Sequence, residues 1–77
     1  MNTITLDKLP LNSCGKIVSL NCSGPIHRRL LDLGLIKGTE VESISKSPSG
    51  NLVAYLIRGA VIALRAEDAS KILVERI

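Results

Sequence analysis

Residues His27–Val41 read HRRLLDLGLIKGTEV, and the spacing of apolar residues changes rhythm part-way through. Up to Gly34 the period is helical. Ile26, Leu30 and Leu33 stand at i, i+4 and i+7, one stripe of an α-helix, with His27, Arg28, Arg29 and Asp32 mostly off it. Pro25 fits the first helical position, where a missing N–H is harmless, and Ser23 or Gly24 can serve as N-cap. Gly34 falls where a helix ends in a left-handed residue, a geometry that only glycine adopts without steric penalty. Gly38, four residues on, makes a turn with Lys37, and a strand is expected over Thr39–Ser45. Val41 and Ile44 fall on opposite faces of that strand, which a bend or bulge would reconcile.

Outward from this stretch the pattern is β-rich. Thr3–Pro10 starts as a short alternating strand and ends in a turn, and Gly15–Asn21 reads as a second strand. Lys46–Asn51 (KSPSGN) is dense in turn residues. Leu52–Ile57 and Ala60–Leu64 form a hairpin about the Arg58–Gly59 turn, where positive φ calls for Gly59. Arg65–Ile72 reads as a single helical turn, with Glu67 and Asp68 near its start. Ile72–Ile77 closes the chain as a last strand. The order β-β-α-β-β-β-β, with tight turns, predicts a mainly β fold. A small closed barrel with one short α-helix on its side suits it best, since closure removes sticky strand edges.

The chain has 77 residues, so one domain over 1–77 is expected, with little interior for a buried active site. Ile, Leu and Val make up most of the apolar set; Trp and Phe are absent and Tyr55 is the sole aromatic. The net charge of +3 is spread thinly, with only Arg28 and Arg29 adjacent among the basic residues. The apolar runs are too short to cross a bilayer, and the start of the chain lacks the apolar core of an export signal. Cys14 and Cys22, the only cysteines, are therefore expected to be reduced thiols of a cytoplasmic protein.

Two separated motifs carry a resemblance. RRLLDLGLIKGTEV (Arg28–Val41) resembles the pattern R-R-L-x-x-L-G-h-x-x-G-x-x-V, with h apolar. GNLVAYLIRGAVIALRAEDASKILVE (Gly50–Glu75) resembles the hairpin, R-G turn, A-L-R and A-x-x-I-x-V ending of the same family. Both are similar to FeoA, the small accessory protein of bacterial ferrous iron uptake, and the likeness runs from Leu6 to Val74. It implies an SH3-like β-barrel with a helix on one side. It also implies a partner, the inner-membrane iron transporter FeoB with its cytoplasmic GTPase domain, whose regulation or assembly is the role usually proposed. FeoA-like domains also end some metal-dependent repressors, but this chain carries no helical DNA-binding region.

Five residues stand out as candidate contacts to a partner. Arg28 and Arg29 form either a basic patch for an acidic surface or a solvated helix face. In the hairpin, Leu52, Ala54 and Leu56 share one face, and Val53, Tyr55 and Ile57 the other. Both faces are apolar, and a barrel buries only one internally. The other must lie under the helix, a loop or another chain, which marks Leu52, Tyr55 and Leu56 for self-association or partner docking. Gly34, Gly38 and Gly59 are backbone devices.

Metal binding and catalysis have little support in the residues. Cys14, Cys22 and His27 lack the four ligands of a structural zinc site, and are expected as two small buried thiols and an exposed imidazole. With one His and scattered carboxylates there is no nucleophile–base pair, so neither an enzyme nor a cofactor is expected. A basic barrel could also bind nucleic acid, but single-strand binders stack bases on aromatic side chains, and one Tyr is a poor platform. A metal-sensing protein related to the repressor domains is the remaining alternative.

Overall fold

The computed structural model describes residues 3–77, so the first two residues of the 1–77 domain lie outside the described residues. Six strands form one antiparallel sheet: β1 (Thr3–Thr5), β2 (Cys14–Leu20), β3 (Glu40–Lys46), β4 (Leu52–Ile57), β5 (Ala60–Arg65) and β6 (Ile72–Arg76). Their order across the sheet is β1-β6-β2-β3-β4-β5. A 3-10 turn (Leu6–Lys8) follows β1, helix α1 (Pro25–Asp32) joins β2 to β3, and the one-turn helix α2 (Ala66–Ala69) joins β5 to β6. The sheet curls round on itself. Its outer strands, β1 and β5, are bridged by the 3-10 turn and α2, which pack on each other while α2 also packs on β5.

The expected element order is present throughout, and the 3-10 turn is the addition. Strands β2, β3, β4 and β6 bury alternate residues, as period-two side-chain geometry requires. Ile17, Val41, Val53, Tyr55, Ile57, Leu64, Ile72 and Val74 point inward, joined by Leu6, Leu9, Leu30, Leu35 and Ala69 from the connections. The pairing of β3 with β4 slips between Ser43 and Ser45, the irregularity that the opposed Val41 and Ile44 call for. A second slip, between Ile17 and Ser19 against β6, has no such signal in the spacing.

Tyr55 lies at the centre of this core. It is 0% exposed, and its hydroxyl donates to the Leu6 carbonyl at 3.2 Å. That bond spans 49 residues and ties β4 to the turn that spans the gap in the sheet. Burial first, then the nearby Asp7 carboxylate, pushes the phenol from its ordinary 10.0 up to about 12. A phenol whose pKa is raised on folding stabilises the fold fully below its unfolded pKa. That contribution is lost as pH rises through the folded value. The chain should therefore lose stability between pH 10 and about 12. Tyr55→Phe should destabilise it by about 1 kcal/mol at neutral pH through the orphaned carbonyl, and should flatten the alkaline loss. Urea melts of the two proteins at pH 7 and across the alkaline range test both; equal alkaline slopes would rule out the phenol as their source.

Candidate functional site

Helix α1 is built as its sequence predicts. Gly24 is the N-cap and Pro25 opens the first turn. At the other end Leu33 is the C-cap and Gly34 follows with φ 96°. The Leu35 N–H bonds the Leu30 carbonyl at 3.0 Å and the Gly34 N–H bonds that of Leu31 at 2.9 Å. This is the Schellman pair, completed by the contact of Leu30 with Leu35 in the core. With its chain direction set there, the helix sends Leu30 into the core and keeps Arg28 and Arg29 exposed.

The β4–β5 hairpin turns through Arg58 (φ 51°) and Gly59 (φ 83°), both positive as a tight type I′ turn needs. Glycine at 59 was legible in the sequence; the left-handed Arg58 was not. Arg58 lies over the end of α1: a Cβ built on Gly34 would meet its Cδ at 3.2 Å. Hairpin turn and helix end thus pack together, at the two motifs that carry the family pattern.

The candidate contact residues divide. Leu52 is 45% exposed, and Leu56 is half-buried on the same outward face. Across from them on β5 stand Arg65 and Val61, with Val61 65% exposed. Ala54 and Ala63 pair between them. α1 does not shield this face, so of the covers considered for it the helix is removed. Tyr55 corrects the expectation for that residue: it belongs to the inward set and is wholly buried, because β4 alternation sends it with Val53 and Ile57 into the core. Val61 is a further exposed apolar residue of this face that sequence reasoning did not single out; its pairing with Leu56 about the Arg58–Gly59 turn was the signal that could have found it.

Cysteine and histidine are also arranged differently from expectation. Both thiols are free and only partly buried, and His27 is half-buried rather than exposed. Cys22 Sγ lies 4.0 Å from His27 Nδ1. Among the described residues no three His, Cys, Asp or Glu side chains gather as a metal site would require.

The FeoA domain model matches residues 4–76. The chain belongs to the FeoA family. The FeoA-like protein of Clostridium acetobutylicum is 30% identical with a TM-score of 0.91, over 100% of this chain and 90% of that one. Stenotrophomonas maltophilia FeoA is 32% identical with a TM-score of 0.84, over 94% of this chain and 89% of that one. It was solved with zinc, is described as an SH3 domain protein, and was proposed to act as a bacterial ferrous iron transport activating factor. A manganese-dependent transcriptional repressor shares the fold at 15% identity and a TM-score of 0.89, with this chain covering 38% of its length. No match exists among curated protein sequences. The fold of this FeoA chain is thus SH3-like, and the family connects it with ferrous iron transport.

Gly34 and Gly38 both hold positive φ, but only Gly34 has Arg58 above it; nothing lies within 4 Å of a Cβ at 38. Each glycine-to-alanine change should cost about 1–2 kcal/mol from the left-handed backbone alone. Gly34→Ala should cost more than Gly38→Ala, because Arg58 must also shift. Denaturant melts of the two variants give the order; the reverse order would show that Arg58 does not bear on the helix end.

Proposed function

We propose that this chain is a cytoplasmic, non-catalytic accessory protein of ferrous iron uptake that binds the cytoplasmic GTPase domain of a FeoB-type transporter. It regulates that domain or the assembly of the transporter, and meets the membrane only through that partner. The observation that carries this reading is the outward face of the hairpin. Leu52, Ala54, Leu56, Val61 and Ala63 form a continuous apolar strip, and Arg65 stands at one end of it with Arg58 in the turn at the other. An apolar centre with an arginine rim is the common make-up of a protein docking surface. Arg28 and Arg29 add a second basic patch on α1 that favours an acidic partner surface. No helix among the described residues is long and apolar enough to cross a membrane. The one aromatic is buried, which leaves no exposed ring for base stacking.

Isothermal titration of the chain against the GTPase domain of FeoB from the same organism tests the reading. Val61→Glu or Leu52→Glu should weaken binding at least ~10-fold, since a charge placed in a desolvated contact costs more than 1.4 kcal/mol. Arg28→Glu with Arg29→Glu should weaken it by a smaller factor that shrinks as salt is raised. Absence of binding by the unaltered chain would refute the proposal. Binding insensitive to both hairpin changes would move the contact off this face.

A further inference from the structure

β5 is the outermost strand on one side of the sheet and pairs only with β4. Which of its backbone groups face outward follows from the hairpin. In a two-residue hairpin the residues flanking the turn, here Ile57 and Ala60, exchange both ladder bonds. Antiparallel pairing alternates from there, so Tyr55–Ile62 and Val53–Leu64 are bonded pairs as well. The N–H and C=O groups of Val61, Ala63 and Arg65 therefore point away from β4. Among the described residues no turn or loop backbone bond reaches any of them. The strand also lacks the usual protections of an edge. It holds no proline and no charge from Ala60 to Leu64. Its register with β4 runs without a bulge, unlike those of β2 with β6 and β3 with β4. Ile62 packs against the core yet stays half-buried, as a strand residue does when one flank has no neighbour.

We propose that β5 pairs antiparallel with β5 of a second copy, about a two-fold axis at Ala63. What selects a second copy over a foreign strand is the charge at the two ends of β5. Arg58 lies in the turn before it, and Glu67 and Asp68 stand in the first turn of α2 just after it. Basic at its start and acidic at its end, the strand complements itself when reversed. The axis at Ala63 sets the register. Ala63 meets Ala63, Val61 meets Arg65, and Ile62 meets Leu64 of the other copy. The outward N–H and C=O groups of Val61, Ala63 and Arg65 then all find partners. The Arg58 turn of each copy runs towards Glu67 and Asp68 of the other; Arg58 and Glu67 are exposed and Asp68 half-buried. An axis at Ile62 would instead bring each Arg65 beside the other copy's Arg58 turn, like charge against like. In the favoured register the aliphatic stem of Arg65 lies against the exposed Val61 of the other copy, and Leu64 flanks the half-buried Ile62. A two-fold contact uses each edge once, so assembly stops at two chains. The outward side chains of Leu52, Ala54 and Leu56 on β4 stay open, and the pairing does not depend on the FeoB reading. The other open surface, a groove beside α1 lined by Gly24, Pro25, His27, Arg28, Leu31 and Asp32, shares no residue with this edge.

Sedimentation equilibrium of the chain alone tests the pairing, with EDTA and a reducing agent present so that neither a metal nor a disulfide joins copies. One strand pair buries less than the ~800 Å² per partner of a standard interface, so a dissociation constant between about 1 μM and about 1 mM is expected. The mass should rise with concentration from one chain towards two and no further. Ala63→Pro removes an outward N–H and no bond to β4, a change that edge strands accept; it should keep the folded amide spectrum and stay monomeric. Arg58→Glu and Asp68→Lys should each weaken the dimer, and mixing the two variants should restore it, because both end contacts again join opposite charges. In a half-labelled sample, isotope-filtered NOE spectra should connect the Ile62 Hα with the Leu64 Hα of the other copy. A one-chain mass up to about 1 mM would overturn the pairing and leave the edge to a strand of another protein. A mass above two chains, a dimer that survives Ala63→Pro, no recovery on mixing, or intermolecular NOEs from other elements only would each overturn it too.

Discussion

The Tyr55 phenol holds the fold's weakest seam. A six-stranded sheet that curls without a ladder between its outer strands depends on whatever bridges them. Here that bridge is the 3-10 turn at Leu6–Lys8 together with α2, and the bond from Tyr55 to the Leu6 carbonyl draws the turn into the interior. Leu6 is itself fully buried, so the bond is made in a dry setting, where an unmade partner would be expensive. The one aromatic residue in the chain is therefore used where a polar tip on a large apolar body is needed, inside rather than on a binding surface.

A second constraint follows from the first. With the inward face of β4 committed to the core, the strand's other face has nowhere to go but outward. That face runs on to Val61 and Ala63 of β5, the outermost strand of the sheet. An exposed apolar outer strand is an aggregation hazard that proteins blunt with charge and short length. β5 has six residues, with Arg65 at its end and Arg58 in the turn before it, and α2 leads away from it. The patch is thus bounded, which limits open-ended stacking of copies along the strand edge.

Much of the architecture could be read from residues 25–41 and 52–64, because both stretches encode backbone geometry directly. Pro25 and Gly34 bracket a helix by the N–H that one lacks and the left-handed φ that the other permits. The opposed Val41 and Ile44 announce an irregularity in β3 that the pairing with β4 contains. What the sequence hid was the choice between two equally apolar faces of β4. Periodicity gives the alternation but not its sign, so Tyr55 could be placed with the core or with the surface until the long-range bond to Leu6 decided it. Arg58 was hidden for a different reason: arginine has no preference for left-handed backbone, and Gly59 alone seemed to satisfy the turn. The Cys22–His27 pair escaped because a spacing of five with a proline between does not follow helical or strand periodicity; only the bend between β2 and α1 brings the two atoms together.

Size then explains why the remaining chemistry is at the surface. The chain exposes 4686 Å², and a standard protein interface takes about 800 Å² from each partner, roughly a sixth of that area. The groove beside α1 and the outward face of the hairpin share no residue, but Arg28 lines the groove and also belongs to the basic patch on α1. Arg58, in the hairpin turn, lays its side chain over the helix end at Gly34. A small barrel with a dense aliphatic interior has no room to carry a signal through its core.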